Sequence, residues 1–201
     1  MSDGVARLCR DLSHEGRIDA EDCLREYSDL LLRWAVRTNL VSAGDLPRLA
    51  TRHILPALHL RSTVRSICHD RIADVGSGAG LPGLPLAVTM PEATFHLVES
   101  RHRRASFLRH AVRTLKMTNV QVVHERVELW RPHLPVDLVL SRAVTSLDRL
   151  QELTSRCLAP HGLLLVALPP SPGDPQAATG GALCHVRTDD RRHLLARAWL
   201  P

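Results

Sequence analysis

Ile72–Val88 reads IADVGSGAGLPGLPLAV. An apolar run ending on Asp74 and Val75 leads into Gly76, Gly78 and Gly80 and then into a helix that begins near Pro82. That order is strand, tight turn, helix. Glycines at these places permit backbone angles closed to other residues and leave no Cβ between the chain and a ligand. Nineteen residues past Gly80, Glu99 closes the next apolar run. A carboxylate there can accept hydrogen bonds from both hydroxyls of a ribose. Loop and acid together predict a nucleoside-cofactor site.

Two cofactors compete for that site. Gly78, Gly80 and Gly83 also satisfy GxGxxG, the pattern of dinucleotide-binding folds. Pro82 speaks against a nicotinamide cofactor, because a pyrophosphate rests on free N–H groups at a helix start and proline removes one. The only tyrosine is Tyr27 and the only lysine Lys116, so the chain has no Tyr-x-x-x-Lys pair. S-adenosylmethionine is the favoured ligand. The bland alternative is that the glycines form nothing more than a tight turn.

Outward from this segment, short apolar runs alternate with helical patterns. Arg71–Val75, Thr94–Val98, Val120–His124 and Val136–Leu140 read as strands; Pro82–Met90 and Arg101–Lys116 read as helices. This βαβ rhythm predicts an α/β fold with a mostly parallel sheet and helices on both faces. Further on come a helix over Ser146–Leu158, an exit turn at Ala159–Gly162, a strand at Leu163–Leu168 and a loop over Pro169–Gly181. The final runs Leu183–Arg187 and His193–Trp199 are expected to pair as an antiparallel edge. On the N-terminal side, Leu24, Tyr27, Leu31, Trp34, Ala35 and Thr38 recur at helical spacing over Ala20–Thr38, with Asn39 as the stop. A second helix is expected over Leu46–Leu60, kinked by Pro56. The expected organisation is one domain, residues 1–201: an N-terminal helical cap over 1–65 and a Rossmann-like core over 66–201.

Composition narrows the function. The chain has 201 residues, 26 Lys and Arg against 21 Asp and Glu, a formal charge of +5 and a pI near 9.4. A basic balance suits an anionic partner such as nucleic acid, and arginine suits bidentate phosphate contact. Five scattered cysteines without a CxxC pair read as reduced thiols. Twelve histidines without HxxxH or HExxH spacing predict no metal site. No run approaches the roughly 18 apolar residues of a membrane span, and the first residues, MSDGVARLCRDLSHEG, lack the apolar stretch of a signal peptide. A cytoplasmic monomer is expected.

The chain resembles the bacterial 16S ribosomal RNA guanine-N7 methyltransferases, called RsmG or GidB. The resemblance starts in LLLRWAVRTNLVSAGD and RHIL (Arg52–Leu55) and is densest over DVGSGAGLPGLPLAV. It continues through HLVESRHRRASFLRHAV, NVQVVHERVE and DLVLSRAVTSL, covering most of residues 30–168. It implies a class I S-adenosylmethionine-dependent methyltransferase with 16S rRNA or the small ribosomal subunit as partner. It also implies residue roles: Gly76, Gly78, Gly80 and Leu81 beside the methionine part of the cofactor, Glu99 on the ribose, Val127 and Glu128 flanking the adenine. Arg142, in Ser141–Ala143, matches an arginine at the mouth shared by cofactor and substrate, and is the candidate catalytic residue. Arg52 and His53 are the candidate RNA contacts.

The chain departs from the family pattern in three places. An ALKG segment is replaced by Ala167–Pro170, so lysine and glycine both become proline. RHILDS is followed only through Leu55, with Pro56 and Ala57 after it. The stretch from Pro169 to His193 is short. These changes leave open a relative acting on another RNA or a small molecule, or a binding protein that no longer catalyses.

Overall fold

The computed structural model describes residues 20–67, 70–142, 147–168, 185–188 and 194–199. The central runs are strands: β1 (Arg71–Val75), β2 (Thr94–Val98), β3 (Val120–Val123) and β4 (Val136–Arg142). They continue with β5 (Leu158–Leu168), β6 (His185–Thr188) and β7 (Leu194–Trp199). The seven form one sheet in the order β3-β2-β1-β4-β5-β7-β6. Its pairings are parallel except β6 with β7, the antiparallel edge expected from the last two runs.

The helices are α1 (Ala20–Thr38), α2 (Leu55–Ile67), α3 (Gly83–Thr89), α4 (His102–Thr114) and α5 (Leu147–Thr154). On one face of the sheet, Leu24, Tyr27 and Leu31 of α1 share a core with Leu84 of α3, Leu97 of β2 and Phe107 of α4. Val64 of α2 and Met90 pack on Ile72, Phe95 and Leu138 on that same side. Ala73, Val139, Leu164 and Val166 face the other way, onto Leu150 of α5 and Trp130. Burial on both faces is why these strands read as near-continuous apolar runs rather than as alternating ones.

Val75 pairs with Val98 on one side and Ser141 on the other, so β1, β2 and β4 end level. Sequence order reverses between β1 and β4, and the connections after them leave on opposite faces. That reversal opens a crevice beyond the strand ends, where ligands of doubly wound sheets bind.

Local chemistry accounts for the differences from expectation. Asn39 stops α1 with φ 43°, a left-handed angle that asparagine tolerates. The expected helix over Leu46–Leu60 is three pieces: a 3₁₀ turn at Ala43–Arg48, a π turn at Ala50–Ile54, and then α2, which runs on to Ile67. Pro56 cannot donate to the helix, and the wider turn before it, with Leu55 N–H on the Ala50 carbonyl, sets it at the second residue of a new helix where the loss costs little. The helix over Ser146–Leu158 stops at Thr154. Ala159–Gly162 is not an exit turn but a bulge inside β5, where the register jumps from Val136↔Leu158 to Leu138↔Leu163. Pro160 cannot donate to a ladder, so the strand bows out around it. The loop Pro169–Gly181 and Cys9, Cys68 and Cys184 lie outside the described residues. No helix among the described residues is long and apolar enough to cross a membrane.

Candidate active site

The glycine loop is held from three sides. Gly76, Gly78 and Gly80 have φ of 73°, 58° and 88°, left-handed angles that side chains resist. Ser77 Oγ donates to the Asp74 carbonyl at 2.7 Å, and Gly80 N–H donates to the Ser77 carbonyl at 2.7 Å, which closes the turn. From β4, Ser141 Oγ donates to the Val75 carbonyl at 3.1 Å. From α1, the buried Tyr27 hydroxyl donates to the Ala79 carbonyl at 2.8 Å. The cap helix is thus bonded to the loop itself.

Glu99 supplies the third restraint. It is 4% exposed; Oε2 accepts from Gly78 N–H at 3.0 Å and Oε1 from Arg101 N–H at 2.8 Å. A carboxylate has about four acceptor positions, so two remain for a ligand's hydroxyls.

A cavity of about 290 Å³ lies beyond the ends of β1 and β2, lined by Val75, Gly76, Val98, Ser100, Glu125, Arg126, Val127, Glu128, Arg149 and Leu153. Of the expected residues it gathers Gly76, Val127 and Glu128, with Gly78 and Glu99 next to it in the loop's hydrogen bonds. Glu128 pairs with Arg126 at 2.8 Å, and this hydrogen bond holds its carboxyl below the usual range. Gly80 and Leu81 stand elsewhere: a Cβ on Gly80 would meet Leu84 Cδ1 at 2.5 Å, and Leu81 is 1% exposed in the α1–α4 core. They shape the loop from beneath.

Arg142 ends β4 on the cap side of the loop and does not line the cavity. Its Nη1 donates to His53 Nδ1 at 3.4 Å, and His53 Nε2 faces Asp45 Oδ2 at 3.5 Å. Asp45 also pairs with Arg52 at 2.5 Å. Burial, then the Arg142 charge, lowers the His53 pKa from its ordinary value, so the imidazole is neutral at neutral pH. On the other side of Arg142 stands Asp74, whose carboxyl burial pushes up to about 6 against the pull of Arg142 and of the Gly83 N–H it accepts at 3.0 Å. The start of α3 is therefore closed by Asp74 and offers no open N–H cradle to a pyrophosphate. Arg52 is half exposed, whereas His53 is turned inward onto Arg142 and Asp45.

The family model for GidB, rRNA small subunit methyltransferase G, matches residues 20–170. The chain belongs to this family. It is 39% identical over 139 residues to the ribosomal RNA small subunit methyltransferase G of Hydrogenovibrio crunogenus, covering 69% of this chain and 63% of that one. With the protein of the same name from Chromobacterium violaceum it shares 34% over 162 residues, 81% of this chain and 75% of the relative. With that of Pseudomonas syringae pv. tomato it shares 33% over 206 residues, 97% and 93% of the two chains. Among solved structures, one from Methanococcus maripaludis assigned to the S-adenosyl-L-methionine-dependent methyltransferases superposes with a TM-score of 0.50 at 15% identity, covering 63% of this chain and 62% of that one. The fold is that of the class I methyltransferases, and the GidB family to which this protein belongs is a family of methyltransferases.

The residues present in this GidB-family chain would accommodate S-adenosylmethionine. Val98, Val127 and Leu153 offer apolar surface to a base, Glu99 offers acceptors at the strand end, and the glycine loop brings bare backbone to the cavity edge. Among the described residues no cluster of His, Cys, Asp and Glu could hold a metal. Sequence reading passed over Tyr27, Asp74, Ser141, Arg149 and Leu153. Tyr27 and Ser141 act through bonds that span 52 and 66 residues, Asp74 through the Gly83 N–H and the charge of Arg142, and Arg149 and Leu153 reach the cavity from α5.

Proposed function

We propose that this enzyme transfers the methyl group of S-adenosylmethionine to N7 of a guanine in 16S ribosomal RNA, either free or within the small subunit. Family membership over residues 20–170, combined with a cavity beyond the ends of β1 and β2 and a buried acid bonded to the glycine loop, is the observation that carries this reading. The same reading has the enzyme act as a monomer in the cytoplasm, where small subunits are assembled.

The cofactor supplies an electrophilic methyl on a sulfonium. Guanine N7 has an in-plane lone pair and no proton, so the reaction asks for no general base. What the chain supplies is position, and alignment of two reactants can be worth about 7 to 11 kcal/mol. In this account Glu99 takes the ribose hydroxyls on its two free acceptor positions while holding Gly78. Gly76 and Gly78 bring backbone against the methionine part, with Gly80 and Leu81 keeping the loop in place below. Val127 and Glu128 border the adenine. Arg142 stands outside the cavity on the cap side of the loop, and from there its fixed guanidinium orients the guanine or its phosphate. Arg52 contacts the RNA backbone, and His53 serves it through Arg142.

The lysine absent at Pro169 and Pro170 bears on RNA orientation, not on the methyl transfer step. Incubation of the enzyme with labelled S-adenosylmethionine and small subunits lacking this modification tests the reading. Label confined to one guanine N7 is expected. Cofactor binding with no labelled RNA would replace this reading with that of a binding protein or of an enzyme for another substrate.

A further inference from the structure

Arg25, Arg52, Arg65, Arg71, Arg126 and Arg149 each pair with a carboxylate. The stretch from Arg101 to Lys116 differs: RHRRASFLRHAVRTLK holds six cations, two histidines and no carboxylate. Among the described residues none of the six side chains has an acidic partner, and that of Arg113 meets only His110, at 3.4 Å.

The start of this stretch opposes the needs of a helix. The first turn of α4 carries Arg103 and Arg104 with no acid, and Arg101 before it makes no side-chain cap. Cations there face the positive end of the helix dipole, and Arg109 with Arg113 sets like charges four residues apart. The inner face follows ordinary packing, with Ala105, Phe107, Leu108 and Ala111 buried. Only the outward side breaks local electrostatic rules, and such uncompensated breaks mark function.

The same helix reaches the site through Arg104, on the side opposite Arg113. Arg104 Nη1 lies 3.8 Å from the point a Cβ on Gly78 would occupy, and Gly78 is the residue Glu99 holds. Arg103, Arg109 and Arg113 are exposed. With a rise of about 1.5 Å per residue, Arg113 stands roughly 14 Å along the axis from Arg104.

We propose that the outer side of α4, through Arg103, Arg109 and Arg113 and on to Lys116, is the track on which the phosphodiester backbone of the substrate RNA lies, with Arg104 joining it to the cofactor loop. The proposal rests on the RNA reading above and adds to it the surface used. Guanidinium forks suit phosphate oxygens, and contacts of this kind are indifferent to sequence and steep in salt.

The test is the salt dependence of RNA binding by the full chain, using a 16S rRNA transcript. R109Q/R113Q is compared with R25Q/R65Q, which removes the same charge from ion-paired positions. The track predicts that R109Q/R113Q weakens binding about tenfold near 0.1 M salt and lowers the log–log salt slope by about 1.5 to 2. S-adenosylmethionine affinity should not change, which shows that the variant is folded, and R25Q/R65Q should keep the wild-type slope. Equal losses in the two variants would overturn the track in favour of a net-charge effect, as would a wild-type slope in R109Q/R113Q. Wild-type enzyme that binds S-adenosylmethionine but no RNA even at low salt would overturn the RNA reading and the track together.

Discussion

Arg142, at the end of β4, donates to Nδ1 of His53 at 3.4 Å, and His53 turns its other nitrogen to Asp45 at 3.5 Å. A residue of the core is thereby tied to the turns that precede α2. The neutral imidazole is the acceptor that fixes where the guanidinium points.

His53→Ala is expected to lower kcat about tenfold while leaving S-adenosylmethionine affinity near wild type, because one hydrogen bond to a charged group is lost. His53→Gln, whose carbonyl can accept from Arg142, should recover part of that rate. Protonated His53 cannot accept and repels Arg142. Wild-type activity should therefore fall as pH drops below the ordinary histidine value of 6.5, and the glutamine variant should lack that fall. Steady-state kinetics across pH 5 to 8 checks both outcomes.

Asp74 gives a second dependence on pH. Its carboxyl holds a proton more tightly in the folded chain than in the unfolded one, so its contribution to stability is complete below about 3.8 and is lost as pH rises through about 6. Relative to Asp74→Asn, which can still accept from Gly83, wild type should lose thermal stability between pH 4 and 6 and hold a constant difference above 7. Melting curves over that range would refute the raised pKa if the difference stayed flat.

Two of the loop's three glycines should separate on substitution. Gly80→Ala combines φ 88° with a Cβ 2.5 Å from Leu84, so a loss of roughly 2 to 4 kcal/mol of stability is expected. Gly78→Ala meets nothing nearer than 3.7 Å and carries only the cost of φ 58°, about 1 to 2 kcal/mol. Its larger effect should fall on cofactor affinity, measured by calorimetry.

Glu99→Gln places an amide where two backbone N–H groups need acceptors, so one of the bonds to Gly78 or Arg101 must break. S-adenosylmethionine affinity should drop at least tenfold, with a smaller change in melting temperature. Unchanged affinity would remove Glu99 from the ribose.

The strands, the glycine loop and Glu99 were legible because each is written locally: apolar runs between turns, then an acid at a strand end. The cleft residues Arg126, Arg149 and Leu153 were not, since cavity lining is decided by where α5 and the segment after β3 meet. Nor were the bonds from Tyr27 to Ala79 and from Ser141 to Val75, which span 52 and 66 residues. Pro56 and Pro160 were visible as disruptions, but whether the chain answers with a kink, a π turn or a bulge depends on what packs around it. His53 stands as a candidate RNA contact because, with Arg52, it falls in a segment of the family resemblance; its inward turn follows from Arg142, 89 residues away.

The central claim is methyl transfer to ribosomal RNA, and the most direct measurement is mapping of labelled methyl on small subunits taken from a strain without this N7 modification. The account predicts label at a single guanine N7, reduced several-fold by Arg142→Ala at subsaturating RNA. S-adenosylmethionine binding without any labelled guanine, or label at a base nitrogen other than N7, would contradict it.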